Sequence, residues 1–397
     1  MAALKFPQKK KLAIVGRGTA GCLSFLHYHH FNGIEHDVDI EWIYDSSIPT
    51  TPVGEGTDMR IPIQLGEKAK FNTDHLNEIG GTLKLGIQKE DWGGSGSFLN
   101  PFPIGSTGIH MDASVLQKWV FEKFGNKVTT TDRNVTSADD VDADYVMMAT
   151  GTPKEMPKDD FYKSAYIPVN AAFVTQCEWP EGHPTFCATL AIARPWGWVF
   201  GIPLLERCSI GYIYNKDITS LETVKEDVQE VFARYDLKPT TRTNSIHFKN
   251  YFRRAPIGSR VSHNGNACFF LEPLEATSLS SAYVIDIYTW RAWFEDAPLH
   301  EMNDRFYQFM AQVEGIICSH YLAGSKFKNE FWDMAQAKGA ACLTELYKRE
   351  EYKTWLKAVI KDPESVARSD GFGTWDRGIW HINTHGLGIA DRMLQMQ

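Results

Sequence analysis

Gly16-Arg17-Gly18-Thr19-Ala20-Gly21 is the segment whose residue types and spacing point most directly to chemistry. In such a turn the first glycine permits the bend, and the second lets backbone approach a pyrophosphate. The third lets a helix pack closely on a strand, so that the helix N-terminus faces the phosphates. Gly16, Gly18, Thr19, Ala20 and Gly21 are therefore candidate dinucleotide ligands. Asp45 lies 24 residues beyond Gly21, where a carboxylate ending the next strand can bind a ribose hydroxyl. The pattern alone does not separate FAD from NAD. No second GxGxxG follows a later strand, so a dedicated nicotinamide domain is not expected.

Other reactive residue types are more dispersed. His27 and His30 share a helix face at i,i+3, with His29 pointing elsewhere. His381 and His385 form HxxxH without the glutamate of a zinc-protease motif. Neither group has a cysteine or acid cluster to complete a ligand set, so no metal site is expected. The seven cysteines include no CxxC pair, which argues against a disulfide framework and for a reducing, cytoplasmic setting. No Gly-x-Ser-x-Gly is present.

The elements that must position these residues follow from hydrophobic pattern. Residues 11–15 predict a buried strand, 20–30 a helix, and 38–44 a second strand ending at Asp45, which together make one β-α-β unit. Residues 46–62, rich in Pro, Gly and Thr, predict a long ordered loop. A helix is expected over 112–124 and a buried strand over 144–149, with mixed sheet from about 165 to 290. From about 296 the pattern turns helical, with Phe306, Phe309, Met310, Val313, Ile316 and Ile317 in apolar spacing. Gly371, Gly373, Gly378, Gly386 and Gly388 predict an irregular, partly packed tail. The expected organisation is an α/β core over 1–295, a discontinuous nucleotide module plus mixed sheet. A helical region over 296–397 packs on it and closes the substrate site.

Composition narrows the function class. Of 397 residues, 43% are hydrophobic and 23% charged, which supplies a sizeable core and excludes a disordered chain. No stretch approaches 18 uninterrupted apolar residues, so no membrane span is expected. The net charge of −8, with no long basic run, argues against gripping a nucleic-acid backbone. The basic N-terminus leads into too short an apolar run for a secretory signal.

Four further segments carry a resemblance. Ile48-Pro49-Thr50-Thr51-Pro52-Val53-Gly54-Glu55-Gly56-Thr57 is similar to the IPxxxVGEAT loop of the flavin-dependent halogenases, particularly their tryptophan-halogenase branch. Thr82-Leu83-Lys84-Leu85-Gly86-Ile87, followed by Trp92, resembles the segment bearing that family's catalytic lysine. Gly197-Trp198-Val199-Phe200-Gly201-Ile202-Pro203 resembles its WxWxIP block, with Phe200 in place of the second tryptophan. Leu271-Glu272-Pro273-Leu274-Glu275-Ala276-Thr277 matches its EPLEAT segment. The resemblance covers roughly residues 10–335.

It implies a flavin monooxygenase/halogenase type of FAD-binding Rossmann-like core with mixed sheet and a helical C-terminal region. The implied activity is oxidation of bromide, iodide or chloride by reduced FAD and O2 to hypohalous acid, which Lys84 directs onto an electron-rich aromatic. By the same resemblance Glu275 lies near Lys84 and accepts the proton lost from the ring. Gly54 and Gly56 belong to the loop beside the flavin, and the backbone amides at Thr277 and Ser278 hold halide. Ser278 stands where the family usually has glycine. Trp198, Phe200, Ile202 and Pro203 would shield substrate from flavin. FADH2 would come from a separate flavin reductase; the oligomeric state is not implied. The chain is shorter than typical tryptophan halogenases in the region that grips indole, so phenols, indoles or other aromatics are expected rather than free tryptophan. The competing expectation is a single-component FAD-dependent aromatic monooxygenase, which would recruit NAD(P)H directly.

Overall fold

The computed structural model describes residues 9–34, 37–49, 54–94, 96–367 and 371–396. Thr50, Thr51, Pro52 and Val53 of the loop motif lie outside the described residues. The chain opens with β1 (Lys10–Val15), α1 (Thr19–Phe31) and β2 (Val38–Tyr44), the two strands parallel from Lys10↔Val38 to Val15↔Ile43. Leu12, Ala13, Ile14 and Val15 are all buried. A strand covered on both faces needs a continuous apolar run rather than an alternating one.

Next come β3 (Gly54–Gly56), α2 (Arg60–Ala69), β4 (Thr82–Lys84), β5 (Gly86–Glu90), β6 (Ser97–Pro101), β7 (Gly108–Asp112) and α3 (Ala113–Phe124). Strand β7 pairs antiparallel with both β3 and β4, bringing the loop motif and the lysine segment into one small sheet. Asp112 caps α3 by accepting from the Ser114 and Val115 amides, as an N-cap carboxylate should. Residues 46–62 are thus not all loop, since they contain β3 and the start of α2.

The middle of the chain supplies β8 (Thr129–Asp132), β9 (Tyr145–Met148), β10 (Phe161–Lys163), β11 (Ala171–Glu178), β12 (Thr189–Arg194), β13 (Gly197–Pro203) and β14 (Arg207–Tyr214). Then follow α4 (Leu221–Arg234), β15 (Lys238–His247), β16 (Tyr251–Arg253), β17 (Val261–His263) and β18 (Phe269–Phe270). A parallel five-stranded sheet has the order β17-β9-β1-β2-β8. A seven-stranded sheet has the order β15-β11-β14-β13-β12-β5-β6, antiparallel except where β5 meets β12.

The expectation of sheet through residue 290 is corrected twice. Residues 221–234 form α4, whose Val224, Val228, Val231 and Phe232 make one buried stripe. Residues from Thr277 onward form α5 (Thr277–Phe294); its Ser, Thr, Val, Ile and aromatic content favours strands locally, and packing on several sides overrides that preference. Beyond lie α6 (Leu299–Ala323), α7 (Glu330–Leu346), α8 (Glu350–Lys361), β19 (Gly371–Phe372), β20 (Trp375–Asp376), α9 (Arg377–Gly386) and α10 (Ala390–Gln395). The tail is therefore regular: a short hairpin and two helices. Its glycines sit mostly at turns and helix ends. His381 and His385 stand on α9 and bond to the backbone carbonyls of Val359 and Ile360.

The main core joins one face of the large sheet to these helices. Trp198, Phe200 and Ile202 point into it alongside Met310, Ile317 and Tyr321, while Val199 faces the opposite cluster with Ile210 and Tyr212. Alternation along β13 thus sends the three motif side chains the same way. Among the described residues, no helix is long and apolar enough to cross a membrane.

Candidate active site

A cavity of about 790 Å³ opens at the end of the parallel sheet, lined by the whole of Gly16 to Gly21 and by Asp45. The three glycines are needed for different reasons. Gly16 has φ +117, and a Cβ there would lie 2.2 Å from the Ala149 carbonyl oxygen. A Cβ on Gly21 would lie 2.4 Å from the Gly16 oxygen, whereas one on Gly18 would meet nothing within 4 Å. The first and third glycines serve the protein's own packing. The second leaves free space in the cavity, where an anionic group can approach the start of α1.

Asp45 is half-buried at the rim. Its Oδ1 accepts from the Ser47 amide and hydroxyl, and Oδ2 accepts from the Asn134 side chain at 2.8 Å. These bonds, those of Ser47 foremost, hold its carboxyl below the ordinary range. Gly54 and Gly56, expected beside the flavin, face away from the cavity: Cβ atoms there would meet Ile202 and Ser209, or Thr189 and Lys84. Glu55 between them lines the cavity instead, because successive residues of a strand point to opposite faces. Burial pushes the Glu55 carboxyl up to about 7, against a hydrogen bond from Thr19. Its Oε2 is buried and, among the described residues, without a hydrogen-bond partner. An orphaned acceptor, a glycine-made opening and a helix N-terminus fit a dinucleotide with phosphates and hydroxyls. The motif contained Glu55, yet spacing alone did not mark it as a site residue.

On the far side of β3 lies a second cluster. Lys84 ends β4 with its side chain buried, 5.6 Å from the centre of the Phe102 ring. Burial brings its ammonium down to about 8, even though the charges of Glu275 and Asp58 act upward. The lysine strand is tied to the tryptophan-motif strand, since the Thr82 hydroxyl donates to the Pro203 carbonyl at 2.7 Å. The Phe200 ring packs against Gly211, where a Cβ would come 2.1 Å from its Cζ. The Trp198 indole N–H donates to Glu272 at 2.9 Å, and the Tyr321 hydroxyl donates to the same oxygen at 2.8 Å. Burial raises the Glu272 carboxyl to about 8 despite both bonds.

Glu275 is not paired with Lys84; among the described residues no ion pair joins them. Its Oε1 sits 2.6 Å from Lys89 Nζ and 3.2 Å from His320 Nε2, and its Oε2 accepts from the Trp375 indole at 2.9 Å. Burial would push the carboxyl up, but Lys89 and His320 hold it at about 2. Sequence reasoning missed Lys89, His320 and Trp375 as site residues. Lys89 was signalled by its place on the inward face of β5, two residues after buried Ile87. Nothing local marked Trp375, one hundred residues from its partner.

Glu275 and Ala276 have φ 68 and 51, two consecutive left-handed residues that are not glycine. They turn the chain into α5, whose first residues are Thr277 and Ser278. The opening amides of a helix have no intrahelical acceptor, and the helix dipole favours an anion there. Ser278 lines the dinucleotide cavity, while Glu275, three residues earlier, belongs to the Lys89 cluster. The start of α5 thus stands between the cavity and the Lys89 cluster.

Comparison with known proteins bears on the family and the fold. The family model described as tryptophan halogenase matches residues 11–155 and 136–354. Tryptophan 7-halogenase KtzQ of Kutzneria sp. (strain 744) is 29% identical over 171 residues, 40% of this chain and 31% of that protein. Tryptophan 7-halogenase RebH of Lentzea aerocolonigenes is 30% identical over 151 residues, 36% of this chain and 28% of that protein. The alignments thus span about a third of these curated relatives. Among solved structures, BrvH, a flavin-dependent halogenase from Brevundimonas sp. BAL3, superposes with a TM-score of 0.77 at 20% identity, covering 96% of this chain and 91% of BrvH. Xcc4156, a flavin-dependent halogenase from Xanthomonas campestris, gives 0.80 at 16% identity, covering 97% and 91%.

Proposed function

Because the chain belongs to the tryptophan halogenase family, we propose that it is an FADH2-dependent halogenase of electron-rich aromatic molecules. The observation that carries this reading is that the α5 start separates the dinucleotide cavity from the buried cluster holding Glu275. The dinucleotide cavity reaches Ser278, and Lys84 and Glu275 lie beyond it. When bound, reduced FAD with O2 supplies the oxidising equivalents that convert halide to hypohalous acid.

The residues of the chain do the rest. The start of α1 and the space beside Gly18 take the pyrophosphate, Asp45 a ribose hydroxyl, and Glu55 Oε2 a further hydroxyl donor. The Thr277 and Ser278 amides hold halide at the helix N-terminus. Trp198, Phe200 and Ile202 fill the wall, so that a small oxidant passes and an aromatic ring does not. Lys84 meets that oxidant at the far end. With a pKa of about 8, about a tenth of it is neutral at pH 7. Both a hydrogen-bonding ammonium and a nucleophilic amine are therefore available. Glu275 stays ionised and takes the proton from the ring carbon after halogen adds, since that cationic carbon acid is stronger still.

The Phe102 ring, 5.6 Å from the Lys84 ammonium, supplies an apolar surface suited to a phenol or indole. Bromide and iodide, easier to oxidise than chloride, are the halides of choice, and a separate flavin reductase is the electron source. The test is mass-spectrometric turnover with FAD, a reductase, NADH, bromide or iodide and a panel of phenols and indoles, with catalase present. Halide-dependent mass gains that vanish in Lys84→Ala are expected. Gain of oxygen without halide would replace this reading with hydroxylation.

A further inference from the structure

Two carboxylates act on Lys84 through their charge, Glu275 and Asp58, and each is already committed to another cation. Asp58 Oδ2 accepts from Arg60 Nε at 2.7 Å and also from the Ser280 hydroxyl. Glu275 Oε1 is 2.6 Å from Lys89 Nζ. The Lys89 ammonium has three protons and three polar neighbours: Glu275, His320 Nε2 at 2.8 Å, and Asn383 Oδ1. His320 Nδ1 lies 2.9 Å from the Ile316 carbonyl, and its Nε2 faces both Lys89 Nζ and Glu275 Oε1. Lys89 and His320 are fully buried. They come from β5 and α6, and Asn383 comes from α9, so three elements lock one ammonium onto Glu275.

We propose that Lys89 is a positioning residue that takes Glu275 as its own counterion and thereby leaves Lys84 an amine with no carboxylate paired to it. This deepens the halogenase reading and rests on it for the meaning of Lys84. Removing the charge of Lys89 leaves Glu275 without that counterion, while the Glu275 charge still acts on Lys84. The other titratable group beside Lys84 is His110 of β7. Burial keeps it neutral, with its ring between the Thr82 and Thr189 hydroxyls. Losing Lys89 also removes a positive neighbour that disfavours the Lys84 ammonium. Both changes act in the same direction, toward a more persistent ammonium at Lys84.

The experiment is a titration of ε-13C-lysine by NMR on the full chain, with and without oxidised FAD, the Lys84 resonance being assigned by its loss in Lys84→Arg. In Lys89→Met the Lys84 midpoint should rise by about one pH unit, as for an amine gaining a carboxylate partner. In Lys89→Arg, which keeps the charge, it should stay at the wild-type value. Lys89→Gln deletes the charge while its amide still donates to Glu275, so it carries the same prediction should Lys89→Met fail to fold. A midpoint that moves by less than about a third of a unit in the folded charge-deletion variants would overturn the proposal, as would an equal rise in Lys89→Arg. Wild-type turnover is scored separately. Absence of halogenated product there would sink the halogenase reading and leave the titration interpretable. With turnover in hand, the pH inflection assigned to Lys84 should move up with the midpoint, whichever protonation state is active.

Discussion

Trp375 donates its indole N–H to Glu275 Oε2 at 2.9 Å, joining the last hairpin of the chain to the turn that opens α5. The bond is buried and its acceptor is ionised, so it is of the stronger kind. The C-terminal segment is by this contact a wall of the candidate active site.

Trp375→Phe keeps the ring and removes only the donor. One oxygen of a buried carboxylate is then left without its partner, at a cost of about 1–3 kcal/mol. Thermal unfolding should show that loss of stability, and turnover should fall because Glu275 is no longer held at both oxygens. An unchanged melting temperature with unchanged turnover would mean that the indole N–H contributes nothing.

Lys84→Met should abolish halogenated product and at the same time stabilise the protein. The folded pKa of Lys84, about 8, lies below its ordinary 10.5, so the unfolded chain binds the proton more tightly. The penalty is complete below about pH 8 and disappears as pH rises toward 10.5. At pH 7 the variant should gain on the order of 2 kcal/mol, and that advantage should shrink in melts at pH 10.

Glu272→Gln tests the neutral acid beneath Trp198. Here the folded pKa, about 8, lies above the ordinary 4.5, so the folded state holds the proton more tightly. The stability this gives is complete below about pH 4.5 and is lost as pH rises through 8. Glutamine does not ionise, so the melting-temperature difference between variant and wild type should change steadily from pH 5 to about pH 8 and level off above it. A difference independent of pH would mean that Glu272 titrates normally.

Gly16→Ala and Gly18→Ala should separate folding from cofactor binding. The first forces a Cβ into the Ala149 carbonyl at a left-handed φ, at a cost of about 2–4 kcal/mol of stability. The second points into open space, so cofactor-free stability should change by less than about 0.5 kcal/mol. FAD affinity measured by fluorescence should nevertheless fall about tenfold, or 1.4 kcal/mol, because the added methyl stands where the pyrophosphate approaches.

The parts of this molecule legible in the sequence are those governed by local rules. The β-α-β unit was readable because buried parallel strands are continuous apolar runs and glycine spacing is dictated by close backbone contact. The motif segments were readable as short strings. Helix α5 was not, because Thr277, Val284, Ile285 and Thr289 favour strands locally and only burial on several sides makes them helical. The Lys89–Glu275 pair was not, because a charge is matched to its partner by tertiary packing. For the same reason Lys84, the lysine named by its motif, has no ion pair among the described residues, while Lys89 has one. Gly54 and Gly56 were placed at the flavin by their motif, and strand alternation gives that face to Glu55.

The lock around Lys89 also bears on how this protein can be rebuilt. Asn383 and Trp375 come from the last two dozen residues, His320 from α6, Lys89 from β5 and Glu275 from the turn before α5. A chimera that exchanges the C-terminal segment for that of a relative severs two of those contacts while leaving a buried charge pair behind. The segment is therefore not an independent cassette for altering substrate range. Transplanting it succeeds only if position 89 travels with it, either as lysine with its full set of acceptors or as a neutral residue with a matching change at 275.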